Sequence, residues 1–193
     1  MVTTSRQHSR QVTLPDCLRS RMKQSGRNIK RRMLTLSIFG NRISRIKHFR
    51  GHGVHSPYVY NLVRKVFMHK ELPIGKQNSL YYALIERDIP KRRAVELQNL
   101  LYYCTADGFS IDNAPHLENL HIITTTLPVS EYDALYTRAT QCGTTLVILS
   151  PYLNREHRTA CTELLVRHNS TSVDNRGYII FFNNHLPKQH YKL

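Results

Sequence analysis

Two seven-residue stretches in the second half of the chain decide the fold class: LHIITTT at residues 120–126 and TTLVILS at residues 144–150. Both are apolar and rich in β-branched residues, as buried strands are. A proline and a helical pattern follow each one, with Ser130 predicted to cap the first helix, Gly143 to end it and Asn154 to begin the second. Repeated units of strand, proline loop and helix predict parallel pairing and therefore an α/β fold.

Shorter strand patterns lie on both sides of these two units. Residues 108–112 predict a short strand before them. Residues 171–174 and 177–182, joined through a turn at Asn175-Arg176, predict an antiparallel hairpin after them. Residues 189–193 predict a last edge segment. The sheet is therefore expected to be mostly parallel and to end in an antiparallel hairpin.

The chain before residue 106 has helical patterns only. Ser56 is a favoured N-cap residue and Pro57 suits the first helical position. One apolar stripe of an amphipathic helix follows, formed by Val59, Leu62, Val63, Val66 and Phe67. Residues 78–89 and 91–104 predict two more helices. We therefore expect an α/β domain at residues 48–193, helical over 48–105 and containing the sheet over 106–193.

The positive charge is concentrated in the leader, residues 1–47. The formal net charge is +15, yet residues 1–50 hold 13 Lys and Arg against one acidic residue, and the remaining residues are close to balance. The leader is expected to be partly disordered, with a basic amphipathic helix from Arg31 onward. Its apolar side either packs on the domain, the interpretation we favour, or the helix binds nucleic acid or an anionic membrane surface.

The cysteines and the hydropathy exclude several classes of protein. The four cysteines form no C-x-x-C pair, so a zinc site is not expected and a reducing, cytoplasmic setting fits best. No stretch approaches the roughly 18 apolar residues of a membrane span. A short apolar run at residues 33–39 lacks a cleavage site and begins too deep in the chain for a signal peptide.

A family resemblance becomes visible at the start of the domain and at its end. The run HGVHSP at residues 52–57, together with residues 172–174 and 177–182, resembles a bacterial family of class I S-adenosylmethionine-dependent methyltransferase-like proteins. The resemblance implies a Rossmann-like sheet and, for an active member, S-adenosylmethionine as cofactor. The residues of the first motif form a signature of unassigned role: His52, Gly53, His55, Ser56 and Pro57.

The part of the fold that would hold the cofactor is shortened. No G-x-G sequence occurs after position 53, and only seven residues separate Asp112 from Leu120, too few for a crossover helix. We expect a small, incomplete sheet that lacks the Gly-rich cofactor loop. The candidate cofactor-binding residues are Asp112, Thr125 and Ser150, because ligands bind beyond the carboxyl ends of parallel strands. The competing interpretation, which we favour, gives them roles in turns and helix caps. No catalytic residue is predicted.

Three functions are compatible with these patterns. We favour a degenerate, non-catalytic methyltransferase-like protein that acts as a binding or regulatory module, with no bound cofactor. The second is an active methyltransferase with a remodelled cofactor site, so enzymatic activity is left undecided. The third is a binder of nucleic acid or of a membrane surface through residues 1–50. The loss of two β-α units from the cofactor half of the sheet also predicts an uncovered sheet edge and self-association through it.

Overall fold

The chain enters the described region, residues 56–193 of the computed structural model, at the start of a helix. The Ser56 side chain accepts a hydrogen bond from the Val59 N–H at 3.4 Å, and helix α1 spans Pro57–Leu62. The predicted cap and N-terminal proline are confirmed. A π-helical turn, Val63–Phe67, continues the helix. No pattern in the sequence predicts this turn, and Val66 is nevertheless buried as the apolar stripe requires.

Two further helices complete the N-terminal half: α2, Ser79–Ile85, and α3, Lys91–Tyr103. Every residue of α3 from 94 to 101 is buried. Its polar residues are buried with partners, since Gln98 accepts the Tyr81 N–H at 2.9 Å and Asn99 donates to the Glu71 carbonyl at 3.2 Å. These bonds fasten α3 to the segments that precede it and make it the central helix of this layer.

The remaining chain forms six strands and two helices. The strands are β1 Phe109–Ile111, β2 Leu120–Ile123, β3 Thr145–Leu149, β4 Thr171–Asp174, β5 Tyr178–Phe181 and β6 Gln189–Lys192. Helix α4, Tyr132–Cys142, connects β2 to β3, and α5, Arg155–Arg167, connects β3 to β4. The sheet order is β1-β2-β3-β5-β4-β6. Strands β1, β2 and β3 pair in parallel, β5 pairs antiparallel with both β3 and β4, and β6 pairs parallel with β4.

The sheet separates two apolar cores. Strand side chains that include Leu120, Ile122 and Tyr178 pack against α1, α2 and α3. The alternate side chains, such as Ile123 and Phe181, pack against α4 and α5. This alternation is the period-two pattern of a strand with a core on each side. The α/β fold and the closing antiparallel hairpin are confirmed, and residues 189–192 do form a last edge strand.

Three local expectations are corrected. Ser130 does not cap α4, because a 3₁₀ turn at Val129–Glu131 precedes the helix and no side chain makes a cap hydrogen bond there. Strand β2 ends at Ile123 rather than at residue 126, since Thr124 turns to bond a neighbouring carboxylate. Helix α5 was expected to run to about Asn169 but ends at Arg167, where the His168 ring bonds the hydroxyl of Tyr136.

Within residues 56–193, no helix has both the length and the apolar character needed to cross a membrane.

Candidate functional site

The three predicted site residues lie just beyond the carboxyl ends of three neighbouring strands. Asp112 follows β1, Thr125 lies in the turn after β2, and Ser150 follows β3. Because the three strands are parallel neighbours, their carboxyl ends meet at the same edge. This is the edge at which open α/β sheets bind ligands. We call it the carboxyl edge.

Asp112 is held by the strand next to it. Its two carboxylate oxygens accept the Thr124 N–H at 2.7 Å, the Thr124 hydroxyl at 2.8 Å and the Thr126 hydroxyl at 3.2 Å. The residue has a left-handed backbone, with φ of 50°. Thr125, between the two bonded threonines, is exposed. The Asp112 carboxylate therefore joins the ends of β1 and β2, and three protein donors already occupy it.

Ser150 is also in a left-handed conformation, with φ of 49°. Its N–H donates to the Gly177 carbonyl at 2.8 Å, which ties the end of β3 to the turn between β4 and β5. Asn154 then caps α5 by accepting the His157 N–H at 2.9 Å. The backbone and the cap thus account for the local geometry of this loop.

Asp174, a residue that the sequence analysis did not single out, is the fully buried carboxylate of this edge. It ends β4, and its carboxylate accepts hydrogen bonds from the Tyr152 hydroxyl and from the Arg176 N–H, the second at 2.7 Å. The available signal was an acidic residue at the end of a predicted strand, just before a tight turn. Arg176 occupies that turn with φ of 72°.

Left-handed backbone is concentrated at the carboxyl edge. Three of the five non-glycine residues with positive φ in residues 56–193 lie there: Asp112, Ser150 and Arg176. Such conformations cost on the order of 1 kcal/mol each and persist where surrounding bonds impose them. The hydrogen bonds from Thr124 and to Gly177 are such constraints.

Helix α3 begins close to the turn between β4 and β5 and brings a buried ion pair to it. Glu96 is 4% exposed and accepts hydrogen bonds from Arg92 at 3.0 Å and Arg93 at 2.8 Å. Arg93 also donates to the Asn175 side chain at 3.2 Å, and its guanidinium lies 4.7 Å from the ring centre of Tyr178. The two arginines compensate the charge of the buried Glu96 carboxylate. Through the contacts of Arg93 with Asn175 and Tyr178, the same network connects α3 to the hairpin.

Three buried side chains that could act in acid–base or nucleophilic chemistry lie on the face of the sheet that packs against α5. The Tyr132 hydroxyl and the His157 Nε2 have no hydrogen-bond partner in the described part of the chain. Burial raises the pKa of Tyr132 to about 12, and it does the same for the pKa of the Cys161 thiol. Both groups are therefore protonated at neutral pH, and the thiol is not a nucleophile there.

A serine and a histidine also meet inside the sheet. The Ser110 Oγ lies 2.7 Å from the His121 Nδ1 and accepts the Glu118 N–H at 3.1 Å. Burial lowers the pKa of His121 to about 4, an effect that nearby Arg138 strengthens and Asp112 opposes. Ser110 is 6% exposed and His121 is completely buried. The pair has no access for a substrate, and it holds β1 against β2.

Two clefts of the described surface lie elsewhere. One of about 490 Å³ runs between the turn at Val129 and helix α5, where Glu156, Ala160 and Glu163 line it. A neighbouring one of about 300 Å³ shares these residues. Asp112, Thr125 and Ser150 line neither cleft. The predicted site residues are thus brought together at one edge, and neither of these two clefts opens onto them.

Of the signature motif, Ser56 and Pro57 begin α1, whereas His52, Gly53 and His55 lie outside the described residues, as does the leader, residues 1–47. Among residues 56–193, no group of three or more His, Cys, Asp or Glu side chains is arranged to hold a metal ion. A comparison of the chain with known protein families, curated proteins and solved structures finds no match.

Proposed function

We propose that this chain is a methyltransferase-like protein that has lost catalysis and acts as a binding or regulatory module. The order and direction of the last strands carry the proposal. Strand β5 lies antiparallel between β3 and β4, which run in the same direction. The family resemblance implies an otherwise parallel sheet that finishes in an antiparallel hairpin.

The first half of the sheet supports the loss of catalysis. Strand β1 is the last strand on its side, and only residues 112–119, a loop with no helix, connect it to β2. Ligand crevices of open α/β sheets form where the strand order reverses. Strands β1 and β2 are neighbours in both the chain and the sheet, so no reversal occurs beside Asp112 in residues 56–193.

The bonding of Asp112 supports it further. An acidic residue that binds ribose hydroxyls must offer carboxylate oxygens to the ligand. Here Thr124 and Thr126 supply three donors to those oxygens. A ligand hydroxyl would have to compete with bonds that hold two strands together, and each bond to a charged group contributes about 1.5–3 kcal/mol.

The test is calorimetric titration of the full chain with S-adenosylhomocysteine, together with a thermal-shift measurement. We expect no saturable heat and no shift in the melting temperature at millimolar ligand. A ligand at 100 times its dissociation constant would stabilise the fold by about 2.7 kcal/mol, a change that such a scan detects.

Saturable binding would overturn the proposal in favour of an active methyltransferase with a remodelled cofactor site. In that case Thr125→Ala and Ser150→Ala identify the site, because both residues follow strands at the carboxyl edge. The matched control is Thr159→Ala, an exposed threonine on α5. Weaker binding in the first two variants and unchanged binding in the control would assign the site to that edge.

A second candidate function rests on the net charge of residues 1–50, which is +12 (13 Lys and Arg, one acid), against +3 for residues 51–193 (15 Lys and Arg, 12 acids). We propose that the leader binds a phosphate-rich surface. Titration of labelled duplex DNA and of phosphatidylserine vesicles, each at several salt concentrations, separates the two sources of phosphate. Affinity for the true partner should fall steeply with salt, because binding releases counterions.

Two charge-neutralised variants of equal size decide whether the leader is responsible. The first replaces five basic leader residues by Gln: Arg31, Arg32, Arg42, Arg45 and Lys47. The control replaces five exposed basic residues of the domain: Lys65, Lys70, Lys91, Arg155 and Arg158. We expect the leader variant to lose affinity and the control to keep most of it. Equal losses would mean that net charge alone attracts the ligand.

A further inference from the structure

The outer edge of β1 has backbone groups that point away from the sheet. The Asp112 N–H donates to the Ile122 carbonyl at 2.9 Å, and the Gly108 carbonyl accepts the Leu120 N–H at 3.4 Å. Backbone groups alternate in direction along a strand. Since 108 and 112 bond inward to β2, the N–H and C=O groups of Phe109 and Ile111 point outward.

Strand β1 has two apolar side chains and one serine. The side chains of Phe109 and Ile111 pack against the core formed with α1, α2 and α3, so the strand is held in place. It contains no charged residue and no proline, although edge strands are commonly protected by such residues. The opposite edge differs, since β6 ends with Lys192 and follows Pro187 and Lys188. Of the two edges in residues 56–193, β1 is the one that lacks these protecting residues, and no described strand pairs with its outer side.

We propose that β1 pairs with β1 of a second copy of this chain, antiparallel and about a two-fold axis at Ser110. In this register Phe109 lies opposite Ile111 of the second copy, and Ile111 lies opposite Phe109. These are the residues whose backbone groups point outward, so each pair exchanges two hydrogen bonds. The two sheets become one continuous sheet across the dimer.

The register is compatible with the side chains as well as with the backbone. Phe and Ile are favourable cross-strand neighbours, and both lie on the face that is already apolar. Asp107 falls opposite Asn113, so no like charges oppose each other. The pairing is isologous, as two-fold interfaces are. This self-complementarity is why a second copy fits the edge better than an unrelated strand.

The first test is sedimentation equilibrium of the full chain over roughly a hundredfold range of concentration. We expect the mass to rise to twice that of one chain. Ile111→Pro removes an outward N–H and should return the protein to the mass of one chain. Lys192→Pro makes the corresponding change at the β6 edge and should leave the dimer intact. A dimer that survives the first variant and is lost in the second would overturn the proposal.

The second test needs no substitution and applies even if Ile111→Pro fails to fold. Amide exchange measured by NMR should slow at least about fivefold for Phe109 and Ile111 as the protein concentration rises, because dimer pairing buries these two amides. The Ser110 amide, which faces β2, should exchange slowly at every concentration. If the Phe109 and Ile111 amides are protected to the same degree at every concentration while the protein has the mass of one chain, residues of the same chain cover the edge and the proposal is wrong.

Discussion

The Asp112 carboxylate holds the end of β1 against the turn after β2 through three hydrogen bonds from Thr124 and Thr126. We expect Asp112→Ala to lower the free energy of unfolding by about 2 kcal/mol, because it leaves the buried Thr124 N–H without its acceptor. Asp112→Asn should cost about half as much, since Asn also tolerates a positive φ and keeps one acceptor oxygen. Urea unfolding measures both, and equal losses would show that neither the tolerance of a positive φ nor the single remaining oxygen matters, so that the bonds require the full carboxylate.

His121 makes the stability depend on pH. Its pKa is about 6.5 in the unfolded chain and about 4 in the folded protein, because burial disfavours the charged ring. The unfolded state therefore binds the proton more readily. The contribution of neutral His121 to the free energy of unfolding is complete above pH 6.5. It falls as the pH decreases toward 4, by roughly 3 kcal/mol in total.

Urea unfolding at a series of pH values checks this expectation. Burial also lowers the pKa of His168, so the wild-type profile alone does not isolate one residue. The control is His121→Asn, which does not titrate in this range. Its stability should decline less between pH 6.5 and 4 than that of the wild type. Parallel profiles for the two proteins would assign the pH dependence to His168 or to other groups.

At the scale of the elements, the two helices that follow the parallel strands begin in different ways. Asn154 caps α5 by accepting the His157 N–H, whereas Ser130 makes no cap hydrogen bond at α4. We expect Asn154→Ala to cost about 1 kcal/mol and Ser130→Ala less than about 0.5 kcal/mol. Thermal or urea unfolding compares them directly. A larger loss for Ser130→Ala would mean that the Ser130 cap predicted from the sequence forms in solution.

At the scale of the whole molecule, burial predicts which parts open first. Residues 94–101 of α3 are buried between the sheet and the earlier helices, and β3 and β5 are central strands. Strand β6 is an edge strand and mostly exposed. Hydrogen exchange with mass spectrometry should find the slowest exchange in α3, β3 and β5 and earlier exchange in β6, because core elements open only by global unfolding. Equal protection of β5 and β6 would contradict this layering.

Much of this architecture could be predicted from local patterns. The strands at residues 120–123 and 145–149 lie inside the predicted ones, because long runs of β-branched residues suit no other buried structure so well. The cap at Ser56 and the left-handed end of α4 at Gly143 also follow from a single residue's chemistry. The π-helical turn at residues 63–67 leaves the same apolar stripe buried and so has no separate signature.

The candidate site was predictable only in part. Asp112, Thr125 and Ser150 were found because residues that follow parallel strands converge on one edge. The partners of Asp112 lie 12 and 14 positions away, and those of Asp174 include Tyr152 at a distance of 22 positions. Such pairs depend on the strand register, which no short pattern encodes. The order of strands and loops in the sequence therefore predicts the edge, whereas the hydrogen bonds at that edge depend on the tertiary structure.

The sequence by itself determined the fold class, the helices that precede the sheet in the described residues, the closing hairpin and the uneven distribution of charge, since each follows from local periodicity, turn chemistry or composition. Only the tertiary structure decided that the Asp112 carboxylate accepts hydrogen bonds from Thr124 and Thr126 and that Asp174 is buried at the same edge. It also decided that β1 is the outermost of the described strands on its side of the sheet. The reason is physical. Local preferences select each element, whereas side-chain partners and strand order depend on contacts between residues far apart in the chain.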